Sequence, residues 1–178
     1  MILLKIKGIK QLMHLLLSEN ETAFDQFLLA KAEITTHLTT TVDGHLNSDF
    51  YSEEELSEFK DAAESEGRIF SEKMVRYHAA KSLCYQAIKG KKVPKSFLFS
   101  FYLADENVEK FLAGIDTTFT RGDIAGLGMN LKYEDGELTC TSATALSIFS
   151  TDKSLDKAWD NMVKKFFDKL GVEYEELI

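Results

Sequence analysis

The sequence predicts an α+β fold of duplicated β-α-β-β-α units, forming a curved antiparallel sheet covered by helices. Three observations predict it. Asp135-Gly136 separates two alternating strands, and Asp-Gly is favoured in type I′ hairpin turns because both central residues need φ > 0. A second Asp-Gly, at Asp43-Gly44, follows a long period-two stretch in the first half. The remaining segments carry apolar residues at helical spacing and end at glycines. The order β-α-β-β-α(α), then β-α-β-β-α, describes a single pseudo-duplicated domain over 1–178. Its first half covers about 1–90 and its second about 95–171, with a seam near Gly90 to Lys95.

Ile2 to Ile6 is a short strand, and after Gly8 the residues Ile9, Leu12, Met13, Leu16 and Leu17 make an amphipathic helix. From Leu28 to Val42 one long strand is expected. Leu28, Ala30, Ala32, Ile34, Leu38 and Val42 point one way, and Glu33, Thr35, His37, Thr39 and Thr41 the other. A bulged turn at Val42-Asp43-Gly44 sets Leu46 opposite Thr40 and Phe50 opposite Thr36, keeping the apolar face consistent. Ser52 to Glu55 is a capping box opening an acidic helix that Gly67 ends. A second helix runs from about Ser71 to Lys89, burying Met74, Tyr77, Ala80, Cys84 and Ile88, with Gly90 and Pro94 as stop signals.

Ser96 to Leu103 is a strand with Phe97, Phe99, Phe101 and Leu103 inward, and Asp105 starts a short helix that Gly114 closes. Thr117 to Arg121 is a loop or edge segment. The hairpin spans Ile124 to Phe149, and a two-residue loop pairs Tyr133 with Leu138 and Leu131 with Cys140. The last helix begins near Ser154, carries Leu155, Trp159, Met162, Val163, Phe166, Phe167 and Leu170, and stops at Gly171.

At 178 residues, 44% hydrophobic and 28% charged, the chain has the composition of a folded domain, and its 13 Phe residues supply a substantial core. A net charge of -8 disfavours nucleic acid as a partner. No apolar run approaches the ~18 residues of a membrane span, and the first residues lack a signal-peptide pattern, so the cytoplasm is the expected location with no membrane partner. Cys84 and Cys140 sit in apolar patterns and read as reduced packing thiols.

No histidine has a partner at metal-ligand spacing, so neither a metal nor another cofactor is expected. In the bulged register His37 and His45 share the polar face of the first hairpin, with Asp49 opposite His37. That face is either a solvated sheet surface or the lining of a groove, with Glu33 and His37 as hydrogen-bonding groups. Tyr77, Tyr102 and Trp159 are the aromatic candidates for a cleft, although a lone Trp is more often core. Lys89, Lys91, Lys92 and Lys95 complement a helix C-terminus or form an anion or partner site. Gly126-x-Gly128 opens a strand, which suits a bend or a close backbone approach better than a phosphate loop.

The segments Asp105 to Leu112, Asp135 to Ser142 and Asp152 to Asp160, with Ala32 to Thr36 and Val42 to Asn47, resemble a family of small bacterial proteins, a domain of unknown function. The resemblance covers most of the chain and implies no activity or catalytic residues. The doubled element order is also similar to effector-binding domains that cup small molecules between their halves, an analogy at the level of fold. Together these point to a binding or regulatory module for a small molecule or a protein partner. The alternatives are an enzyme using Glu33 and His37 as acid and base, or an oligomeric scaffold.

Overall fold

A computed structural model describes all 178 residues. In chain order the elements are β1 (Leu3–Ile6), α1 (Ile9–Leu17), β2 (Phe27–Thr35), β3 (Thr39–Asp43), α2 (Glu53–Ser65), α3 (Tyr77–Ile88), β4 (Ser96–Leu103), α4 (Asp105–Ala113), β5 (Ile124–Glu134), β6 (Glu137–Leu146), α5 (Ser154–Leu170) and β7 (Tyr174–Glu176). The strands form one open, curved sheet in the order β3-β2-β4-β5-β6-β1-β7, with every pair antiparallel. β4 lies between β2 and β5, while β1 lies between β6 and β7. The strands of the two halves therefore interleave in a single sheet. The α+β class expected from the sequence is the class observed.

The second hairpin has the expected register. Tyr133 faces Leu138 and Leu131 faces Cys140, and the turn residues Asp135 and Gly136 take φ of 52° and 80°. The first hairpin differs. β2 ends at Thr35, and the chain reverses through Thr36, His37 and Leu38, with the Thr36 N–H donating to the Leu38 carbonyl at 2.8 Å. The expected long strand is thus two short ones, and Asp43-Gly44 is not the hairpin turn. Gly44 is needed for space instead. Its backbone accepts from the Val75 N–H at 2.8 Å and donates to the Ala30 carbonyl at 3.0 Å. A Cβ there would lie 1.9 Å from the Leu29 carbonyl oxygen. Three backbone segments converge at this point, and only a residue without a side chain fits. Leu46 and Phe50 consequently do not sit opposite Thr40 and Thr36. Phe50 belongs to a 3-10 turn over Ser48–Phe50 and is exposed.

A second difference lies within β2. The register shifts between Leu29 and Lys31, so Ala30 is an extra residue and the side chains exchange faces there. Ile34, Ala32, Leu29 and Phe27 face the helices opposite Phe97, Phe99, Phe101 and Leu103, whereas Leu28 turns to the other face opposite Tyr102. A strict period of two places Leu28 with Ile34, and the bulge separates them. β7 is a further strand that its brief Tyr-Glu-Glu sequence does not announce.

The core lies between the sheet and α1, α3 and α5. α3 packs on β2 and β3, α1 against α3, and α5 on β6. Phe24, Tyr77, Phe99 and Phe101 form its aromatic centre, with Tyr77 and Phe101 centroids 5.1 Å apart. Each such side chain contributes about 1.5–3 kcal/mol by leaving water. The one polar atom of Tyr77 is satisfied, its hydroxyl donating to the Leu16 carbonyl at 2.8 Å. Burial pushes this hydroxyl's pKa well above the usual tyrosine value. Trp159 likewise donates from Nε1 to the Gly128 carbonyl at 2.8 Å. No helix is long and apolar enough to cross a membrane.

Candidate functional site

The outer face of the sheet has no helical layer over most of its area. One end is covered by the excursion between β3 and α3. α2 starts with a complete capping box, the Ser52 hydroxyl accepting from the Glu55 N–H at 3.1 Å and the Glu55 carboxylate from the Ser52 N–H at 2.8 Å. Its sequence is so acidic that only Ala63 is buried. Tyr51, Phe59 and Phe70, together with Phe50, form a satellite aromatic row with centroid spacings of 5.2, 5.0 and 5.9 Å. After α2, Gly67 reverses the chain with φ of 70°. Residues 68–75 then return as an extended strap rather than as the first turns of α3, which begins at Tyr77 and not at Ser71.

The strap is fixed at its C-terminal end. The Leu46 N–H donates to the Lys73 carbonyl at 2.9 Å and the Leu29 N–H to the Val75 carbonyl at 2.9 Å. These bonds fill the gap where β3 parts from β2. They explain why the backbone leaves the helical path that the apolar spacing suggests. A latch ties the two ends together, where Glu106 of α4 pairs with Arg76 just past the strap and accepts from the Ile69 N–H near its start at 3.3 Å. The Glu106 side chain is only 7% exposed.

Between strap and sheet lies a groove of about 630 Å³, within the usual size of small-molecule sites. Leu28, Tyr102 and Gly126 make its floor, and Phe70 and Met74 belong to its strap wall. A Cβ on Gly126 would stand 2.7 Å from both Cδ1 and Cε1 of Tyr102 but 3.8 Å from Cγ, so the ring sets one edge against the glycine. This is the close approach for which Gly126-x-Gly128 is suited, and β5 is also irregular between Ile124 and Gly126. The polar lining includes two ion pairs, Lys60 with Glu72 and Arg121 with Asp105. The hydrogen bond from Lys60 holds the Glu72 carboxyl below its usual range. Across the strap a smaller cavity of about 340 Å³ adds Leu46, Tyr51, Phe59 and Ala79, and it shares Leu28, Ile69, Phe70 and Met74 with the first. The combined site has an apolar middle and charged margins, and its lining contains neither histidine nor cysteine.

The five residues expected to line a site are not brought together. Tyr102 lines the groove. Glu33 lies on the outer face paired with Lys31 at 2.8 Å, with its side chain 43% exposed. His37 is exposed in the turn of the first hairpin, its Nδ1 3.4 Å from the Thr36 hydroxyl. Neither Glu33 nor His37 lines the two cavities at the strap, and the expected sharing of one polar strand face by His37 and His45 is lost with the bulged register. Tyr77 and Trp159 are core residues, and Trp159 packs edge-on against Phe111. No cluster of three or more His, Cys, Asp or Glu side chains is placed to hold a metal.

A family model for a domain of unknown function matches residues 14–175, from within α1 into β7. The chain belongs to DUF5721. The match includes α2, the strap, α4 and the groove floor, so the site lies inside the DUF5721 domain. No curated protein and no solved structure matches the chain. Sequence reasoning missed Leu28, Arg76, Glu106 and Arg121 of this DUF5721 site. Gly126-x-Gly128 was its one local signal, because two glycines in a strand mark a place where something approaches closely.

Proposed function

We propose that this protein is a binding module whose site is the groove beneath the strap, and that it takes a small amphipathic molecule. The observation that carries this reading is the floor, where the edge of the Tyr102 ring meets β5 at Gly126 and leaves an apolar surface beside Leu28 under the strap. Flat aromatic or alkyl groups suit that floor. The ion pairs at the margins can redirect one partner towards a polar or charged substituent. The lightly buried α2 supports entry from its side, since few apolar contacts hold it down.

The test uses anilinonaphthalenesulfonate as a fluorescent probe and a panel of amphipathic metabolites as competitors. Ala125 is exposed and lines the groove, so Ala125→Trp fills the site without disturbing the core. The native protein is expected to bind the probe saturably and release it to a competitor. Ala125→Trp is expected to lose that binding at an unchanged melting temperature. Probe binding indifferent to Ala125→Trp, or no binding by the native protein, contradicts the proposal.

A further inference from the structure

The two edges of the sheet are unlike. β7 is three residues long, and its two glutamates are held in ion pairs with Lys7 and Lys164. Such short, charged edges resist strand addition. β3 has the sequence Thr39-Thr40-Thr41-Val42-Asp43, without lysine, proline or an internal bulge. Its hydrogen-bonding phase follows from two bonds, Thr36 N–H to the Leu38 carbonyl at 2.8 Å and Gly44 N–H to the Ala30 carbonyl at 3.0 Å. With these fixed, Thr40 and Val42 bond inward to Ile34 and Ala32. Thr39, Thr41 and Asp43 therefore turn their N–H and C=O groups outward, unpaired.

We propose that this edge pairs with the same edge of a second copy, antiparallel about a two-fold axis at Thr41. Thr41 then faces Thr41 of the second copy, and Thr39 faces Asp43, so every outward donor meets an outward acceptor. Cross-strand threonine pairs are favourable.

The two ends of β3 complement each other in the same sense. Beside the hairpin turn, where the Lys95 N–H donates to the Thr35 carbonyl at 2.8 Å, the chain carries Lys89, Lys91 and Lys92. All three are exposed and none is in an ion pair. Leu38 and Val93 stand exposed in these two segments. At the opposite end of β3 lies a hollow of about 640 Å³ lined by Asp43, His45, Asn47 and Asp49. Phe50, 81% exposed, also borders it. Antiparallel pairing brings the lysine-bearing, apolar tip of one copy to the acidic, aromatic-edged hollow of the other, twice per dimer. A further apolar contact comes from Leu83. It is 58% exposed and points to the flank of α3 opposite Tyr85, which borders α1. The lysine cluster thus gains a partner beyond its own helix terminus.

Sedimentation equilibrium at low and high salt tests this. The native chain is expected to dimerise with rising concentration, more weakly at high salt because the end contacts are ionic. Thr41→Pro removes an outward N–H that serves no bond within the chain, and is expected to weaken the dimer at least about tenfold. The double variant Lys91→Glu, Lys92→Glu and the single variant Asp49→Lys are each expected to weaken self-association. Mixed together they restore it, because a heterodimer regains opposite charges at both ends. A native chain that stays monomeric at every concentration in low salt overturns the proposal. So does a dimer indifferent to Thr41→Pro, or a mixture of the two charge variants that does not associate.

Discussion

Two sets of aromatic residues sit in contrasting parts of this molecule. Phe24, Tyr77, Phe99 and Phe101 lie between the inner sheet face and the helices and are almost wholly out of water. Phe50, Tyr51, Phe59 and Phe70 form a row of similar ring spacing, yet Phe50 is 81% exposed and Phe59 37%. The side chains are alike, and what differs is what covers them. The inner set is enclosed by helices whose apolar faces complete the core. The outer set meets only α2, a helix of acidic residues with a single buried side chain. A helix with so little to bury is tied to its surroundings by the Lys60–Glu72 ion pair and the ring contacts of Phe59 with Tyr51 and Phe70, and cavities remain beneath it. The core gives the molecule its stability, and the covered outer end holds the groove in which binding is proposed.

The largest expected effect separates the two sets directly. Phe99→Ala should cost about 3–5 kcal/mol, as large-to-small changes in a packed core do. Phe59→Ala should cost no more than ~1 kcal/mol, since its ring is already wet. Urea denaturation of the two variants measures both, and equal losses would show that the satellite row is part of the core.

The latch comes next. Glu106→Ala leaves Arg76 facing the pocket without its carboxylate, and removing one partner of a buried pair costs about 3 kcal/mol or more. The same variant frees the Ile69 N–H, so it should loosen the strap specifically. Increased proteolysis between Gly67 and Met74, with the cuts confined to that segment, is the expected readout.

A smaller effect concerns pH. Burial raises the Cys84 thiol to about 11 and pushes Cys140 higher still. In the unfolded chain both titrate near 8.5. The folded state holds these protons more tightly, so its stability is unaffected below that value and falls as pH rises through the folded value. Urea midpoints measured between neutral pH and pH ~10.5 should decline for the native protein and decline less for Cys140→Ala. In the folded state neither thiol should react readily with maleimide at neutral pH.

Much of the inner layer was legible in the sequence. The alternation of Phe97, Phe99 and Phe101, the Asp135-Gly136 turn and the helical spacing before Gly171 each carry a local physical signal that the packed structure obeys. The outer end was not legible, for reasons that are equally physical. The bulge at Ala30 reverses the faces of β2, and a bulge leaves no mark on a run of apolar residues that suit either face. The turn at Thr36 to Leu38 lacks glycine, whereas the more conspicuous Asp43-Gly44 is set by a backbone junction that includes Val75, distant in sequence. The strap keeps helical spacing at Met74 and Tyr77, but pairing with Gly44 and Leu29 overrides it. The latch from Arg76 to Glu106 joins residues with nothing between them to announce it. Of the candidate residues only Tyr102 stands in the groove, because its neighbour across the sheet is a glycine pair that can be read locally.

Because α2 buries a single side chain whereas β4 and β5 lie in the middle of the sheet, α2 and residues 66–72 are expected to open without the sheet beneath them. Native-state hydrogen exchange measures this opening residue by residue. Amides of α2 and residues 66–72 are expected to exchange by local opening, far faster than those of β4 and β5, which exchange only with global unfolding. Exchange of α2 in step with β4 and β5, at the global unfolding free energy, would contradict it.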